Sequence, residues 1–302
     1  MTQKTLINQY ETRLHSEIIN LCNSLELPLH DNVLGSKIYT NYQRVALIIL
    51  QMRSGKALRK FVNELIESKW PRWLGLKELV SKSTLHRWIM KFNLSQLRRF
   101  LDQTTSASKP EIMAIDATGF DSWQRSRHYE QRLRQFGVND YKMPFAKVDL
   151  LVDTNTKLIH DFVIRIKPRH DVLGAKTMIN RLKHKRVLIL ADKGYDSETL
   201  HKLAFEKDNL LYAPVRDFKV NSPNGRHRRR CAKGNALYSM RNIVESINFS
   251  LKSRFRGLRN KIPYMKKREF GWKVITYNLE KLAQAIRWLI ANLFWDSAVE
   301  KY

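Results

Sequence analysis

Five consecutive apolar residues, Val187 to Ala191, run straight into an aspartate, Asp192. A short run with no polar member reads as a strand buried on both faces, which needs cover above and below a sheet. The surrounding chain is therefore read as α/β. Glu111 to Phe120 reads as a first strand, with Ile112, Ala114 and Asp116 on one face and Met113, Ile115 and Ala117 on the other. Ala146 to Val152 is a second strand, Asp153 to Thr156 a turn and Leu158 to Ile166 a third strand. Asp171 can cap a helix running to about His184, and Ser197 one running to about Lys207. Leu210 to Val215 is a fifth strand, Tyr238 to about Phe255 a helix, and Thr276 to Trp295 a long amphipathic helix. The resulting order is β-β-β-α-β-α-β-α.

Ahead of this lies a different periodicity. Residues 1 to 105 read as helical, and Gln43 to Ser68 carries apolar residues at helical spacing with a break at Gly55. Pro71 and Gly75 mark a turn, Leu76 to Val80 reads as a short helix, and Ser83 is placed to cap the helix that follows. That helix bears His86, Arg87 and Lys91, a helix-turn-helix outline with three side chains suited to DNA. An ordinary helical bundle with a solvated basic face fits the same pattern. Ser106 to Pro110 reads as a linker, giving a helical DNA-binding region at 1–105 and an α/β domain at 106–302.

Charge narrows the partners. The 302 residues carry 55 Lys or Arg against 28 Asp or Glu, a formal net charge of +27. An excess of this size repels itself unless a polyanion is the usual partner, and DNA is the expected one. A membrane partner is not expected, because the longest aliphatic run, Val45 to Leu50, falls far short of the roughly 18 residues of a span. Cys22 and Cys231 stand alone, without the spacing of a zinc site or a disulfide framework, which suits a reducing interior. The excess is concentrated from Arg216 to Lys273, where seventeen Lys or Arg face three acids. That stretch holds Arg228, Arg229 and Arg230, and interleaves Phe255, Tyr264, Phe270 and Trp272. It is the expected surface for phosphate neutralisation and base stacking.

Three acids carry the chemistry. Asp116 lies inside the first strand and Asp192 directly follows the fourth; a carboxylate at either place is costly to bury unless it is paired or binds a cation. Glu245 lies on the helix around residue 245, and Tyr238, Arg241 and Lys252, at −7, −4 and +7, fall on its helical face. A salt-bridged, solvated helix face, with Arg241 paired to Glu245, fits these residues as well.

The spacing Tyr238-x2-Arg241-x3-Glu245-x6-Lys252 resembles the Tyr-Arg-Glu-Lys signature of insertion-sequence transposases of the DDE type. "IDATGF" around Asp116 and "LADKGYDS" around Asp192 resemble the segments that carry the two aspartates of that family. The strand and helix order is that of a ribonuclease-H-like mixed sheet, the fold the resemblance implies over roughly residues 111–295. It also implies two Mg²⁺ or Mn²⁺ ions held by Asp116, Asp192 and Glu245, and cleavage at terminal inverted repeats followed by strand transfer into target DNA. By the same resemblance Tyr238, Arg241 and Lys252 contact DNA near the transferred end. A homo-oligomer assembled on DNA and a prokaryotic, cytoplasmic, nucleoid-associated location are expected with it. The β-rich insertion that some relatives carry before the Glu has no counterpart between Asp217 and Leu237. The rival readings are a two-metal nuclease of the same fold that cuts without joining, and a transposase-derived DNA-binding protein without activity.

Overall fold

The computed structural model describes residues 3–31, 37–121, 135–136, 145–166, 170–216, 225–255 and 257–299. The basic stretch from Gln124 to Lys142 lies almost wholly outside the described residues, as does the segment 217–224 of the Arg-rich loop. The chain divides into two compact units, one of residues 1–106 and 271–302, the other of 107–270.

The first unit is helical: α1 (Gln3–Ser24), α2 (Asn41–Ser54), α3 (Leu58–Leu65), α4 (Trp70–Trp73), α5 (Lys82–Lys91) and α6 (Leu94–Thr104). Thr40 and Gln43 close α2 at its start with a reciprocal capping box, and Gly55, at φ 59°, ends it in the left-handed conformation. This is the expected break. Leu76 to Val80, expected as a short helix, is irregular, and the cap of α5 is Ser81 instead of Ser83, its side chain accepting the Thr84 N–H. The caps Ser81 and Ser83 are chemically equivalent, and the earlier one lets the helix gain two further residues, about half a turn.

Residues 271–302 group with this unit, whereas the sequence reading put them with the second. Trp272 is buried and stands edge-on to Phe92 and Phe100 at 5.2 and 5.5 Å, and Asn278 donates to the Thr104 hydroxyl at 2.9 Å. Burying an indole and satisfying a buried amide outweigh proximity in sequence.

The second unit is built on a five-stranded mixed sheet of β1 (Ile112–Asp121), β2 (Phe145–Asp153), β3 (Ile159–Arg165), β4 (Leu188–Ala191) and β5 (Leu210–Tyr212), in the order β3-β2-β1-β4-β5. The β1–β2 and β2–β3 pairs are antiparallel; β1–β4 and β4–β5 are parallel. Helices α7 (Asp171–Arg181) and α8 (Glu198–Glu206) supply the crossovers, and Met113, Ile115, Leu151, Met178, Ile179, Ile189 and Leu200 form the core beneath them. Asp171 is the first residue of α7 and not its cap; it pairs with Lys147 instead.

The helix expected from Tyr238 starts as a 3₁₀ turn, Ala236–Arg241, and becomes α9 (Asn242–Phe255) only afterwards. Val244, Ile247, Leu251 and Phe255 of α9 are buried, and the helix packs on β1 and β2. The last helix, α10 (Pro263–Val299), begins thirteen residues before the expected start at Thr276. Its early part buries Met265 and Phe270, and Glu269 accepts the backbone N–H groups of Arg259 and Asn260 at 3.0 Å. Among the described residues, no helix is long and apolar enough to cross a membrane.

Candidate active site

The register of β1 and β4 sets the geometry. Ile115 pairs with Ala191, so the next residue along each parallel strand is an aspartate, Asp116 and Asp192. Asp116 lies mid-strand under α9, where the Asn248 amide donates to its carboxylate at 3.0 Å. Burial pushes the Asp116 carboxyl up to about 6. The Ala117 N–H and the Arg241 guanidinium oppose that shift, while the charges of Glu245 and Asp192 add to it.

Asp192 is exposed at the end of β4 and accepts the Lys193 N–H at 2.7 Å, starting a 3₁₀ turn, Lys193–Tyr195. That turn is held from two sides. Arg216 donates to the carbonyls of Lys193 and Gly194 at 2.7 Å each, and the Tyr195 ring is buried in the core. Next along the chain, Asp196 receives Arg228 through Nε at 2.7 Å and also through Nη2, and Glu198 accepts the backbone N–H groups of His227 and Arg228. The Arg228 guanidinium is thus committed within the protein, while Arg229 and Arg230 are exposed and Arg230 lies over the Phe205 ring at 5.2 Å.

Glu245, about half exposed, accepts Arg241 Nη2 at 2.6 Å. The Arg241 guanidinium stands over the Tyr238 ring at 5.8 Å, and Tyr238 meets Tyr212 edge-on at 5.5 Å. Burial holds the Tyr238 hydroxyl above its ordinary value, with Arg241 opposing. Lys252 is exposed two turns beyond Glu245.

Asp116, Asp192 and Glu245 thus share one electrostatic neighbourhood with Arg241. Among the described residues, no three His, Cys, Asp or Glu side chains stand close enough to hold a metal ion as they are. The donors nevertheless suit a hard divalent cation. All are carboxylate oxygens, Asp116 is pressed by two like charges, and Glu245 already draws a cation, Arg241. His86, Arg87 and Lys91 lie on α5 in the other unit; Lys91 pairs with Asp31, and Arg87 donates to Thr84 at 3.3 Å.

Asn248 was not foreseen. Its signal was a polar residue three positions after Glu245, inside the otherwise apolar stripe of the helix.

A mixed sheet that sets two aspartates at successive register positions of neighbouring parallel strands, one mid-strand and one just past a strand end, with a third acid on the covering helix, defines an α/β protein with an acid-centred site. The chain belongs to the Transposase DDE domain family, whose match spans residues 107–279, more than half its length. No curated protein matches it. Among solved structures, the cryo-EM structure of the piggyBac transposase synaptic complex with hairpin DNA is similar at 14% identity and a TM-score of 0.49. The similarity covers 90% of this chain and 72% of that one.

Proposed function

We propose that the chain is a DDE transposase that cleaves DNA at the terminal inverted repeats of its element and joins the freed end to target DNA. On this reading the sheet is ribonuclease-H-like, which the strand order and the parallel β1–β4 pair support. Tyr238, Arg241, Glu245 and Lys252 are then a Tyr-Arg-Glu-Lys signature. The observation that carries the reading is the register that puts Asp116, half-buried beneath α9, and Asp192 at successive positions of adjacent strands within the span of the family match; burial first, and then the charges of Glu245 and Asp192, raise the Asp116 carboxyl.

Asp116, Asp192 and Glu245 would hold divalent ions, Mg²⁺ or Mn²⁺. Such ions supply activation of an attacking hydroxyl and stabilisation of the leaving oxygen in an in-line phosphodiester displacement. The chain's own residues do the rest. Asn248 orients the Asp116 carboxylate. The turn after Asp192 is pinned by Arg216. Arg241 exchanges Glu245 for a DNA phosphate that it grips with two donors, and Lys252 adds a point charge. Asp116 must be ionised to act; burial opposes that form, and a bound cation would favour it.

Asp116→Asn, Asp192→Asn and Glu245→Gln each keep the side chain's shape and remove its charge. Each should abolish divalent-dependent cleavage of end DNA while leaving DNA binding in gel-shift assays largely intact. A variant with near-normal cleavage removes that residue from the site. A strand-transfer assay separates joining from simple cutting; cleavage without joining supports the nuclease reading instead.

A further inference from the structure

The aromatic residues expected to stack on DNA are mostly inside the protein: Phe255, Phe270 and Trp272 are all buried. The structure exposes a different ring. Phe249 on α9 is 74% exposed. A single exposed apolar side chain is ordinary, and what distinguishes this one is its address. The exposed strip of α9 runs Glu245, Ser246, Phe249, Lys252, Ser253, with Phe249 one turn beyond the acid and one turn before the lysine. Its neighbour in the chain, Asn248, points the other way and donates to Asp116. Two other exposed rings have company, Phe205 beneath Arg230 and Tyr264 beneath Arg268, and Phe136, also exposed, does not lie on the helix that bears Glu245. Among the described residues Phe249 has neither a ring nor a cation against it.

We propose that Phe249 is a stacking residue for an unpaired base next to the phosphate being cut, an inference that rests on the DNA-cleaving reading above. A base inside a duplex has both faces covered by its neighbours and can offer none to a protein ring. A base at a frayed or already cut end has a free π-face, and a ring flanked by a phosphate-binding lysine and the acid centre meets it while the backbone is held alongside. Stacking of this kind tolerates any base and discriminates paired from unpaired ends. The ring gains burial only when the end is present, so it rewards DNA that has opened at the site.

The test uses the full chain without divalent metal. The probes are a short blunt duplex and the same duplex ending in a few unpaired thymines, with 2-aminopurine as the first unpaired base. Phe249→Ala should weaken binding to the unpaired end by about fivefold or more and abolish quenching of the 2-aminopurine. It should leave blunt-duplex affinity and the salt dependence nearly unchanged, because no phosphate contact is lost. Phe249→Trp should restore the preference. Equal affinities of the wild-type and Phe249→Ala chains for the unpaired end, in a protein that does bind and cut DNA, overturn this inference alone. Phe249→Ala that leaves DNA preference intact but lowers the mass in light scattering assigns the ring to contact with a second copy, and overturns it too. A wild-type chain that binds neither probe overturns the DNA-cleaving reading, and this inference with it.

Discussion

Holding Asp116 beneath α9, beside Glu245 and Asp192, costs the fold stability, and the sign of its pH dependence follows. The folded carboxyl titrates at about 6 against an ordinary 3.8, so between those values the folded chain binds more protons than the unfolded one. The group's contribution is fully present below pH 3.8 and is lost as pH rises through 6. Asp116→Asn keeps an acceptor for Asn248 and carries no charge. At pH 7 and without divalent ions it should therefore be more stable than the wild-type chain by about 1–3 kcal/mol, with the difference vanishing near pH 4. Urea unfolding at the two pH values reads this directly, and Mg²⁺ should stabilise the wild type while leaving the variant nearly unmoved. A variant less stable at pH 7 would show that Asp116 is held by contacts that outweigh its desolvation.

At the scale of elements, close packing of α7 on the sheet depends on one missing methyl group. A Cβ added at Gly174 would collide with the Asp149 carboxylate, which is buried in β2 and paired with Arg165. Helix propensity alone makes Gly174→Ala favourable by roughly 1 kcal/mol, whereas the collision makes it unfavourable by about 1–3 kcal/mol. The collision should win, seen as a fall in the urea midpoint. What the sequence made legible has the same physical basis. The first strand announced itself by alternation, β4 by an unbroken apolar run buried on both faces, and α8 by its cap at Ser197, and with the strands came the placement of Asp116 mid-strand and Asp192 at the end of β4. The turn before α9 did not, because a 3.6-residue period was assumed through Tyr238–Arg241, where the chain is wound as 3₁₀. The ion pair between Arg241 and Glu245 forms all the same. The early start of α10 was hidden by Lys266, Lys267 and Arg268, which read as part of a surface for DNA although the flanking Met265 and Phe270 are buried. Pro263 at its first position was the available signal.

For the whole molecule, the +27 charge predicts affinity for any DNA, whereas preference for particular ends needs base contacts. The proposed source of that preference is α5 in the helical unit. Arg87 is exposed there and His86 partly so, while Lys91 is paired with Asp31. His86→Ala combined with Arg87→Ala in the full chain should reduce the preference for terminal-repeat DNA over unrelated DNA by about tenfold or more, at roughly 1–3 kcal/mol per base contact. Binding to unrelated DNA should fall little. Competition gel shifts measure both, and an unchanged ratio would remove α5 from end recognition.

The two aspartates and the glutamate enter the chain far apart. Both aspartates and all five strands have been made by residue 212, but Glu245 arrives only with α9, whose Val244, Ile247, Leu251 and Phe255 are buried in the finished unit. A nascent chain still on the ribosome therefore carries two of the three acids and a sheet with one face uncovered. On the proposed reading it cannot cut DNA until synthesis has passed Phe255 and α9 has docked. On the same reading, a chain truncated before that point lacks the third acid and would not cut DNA.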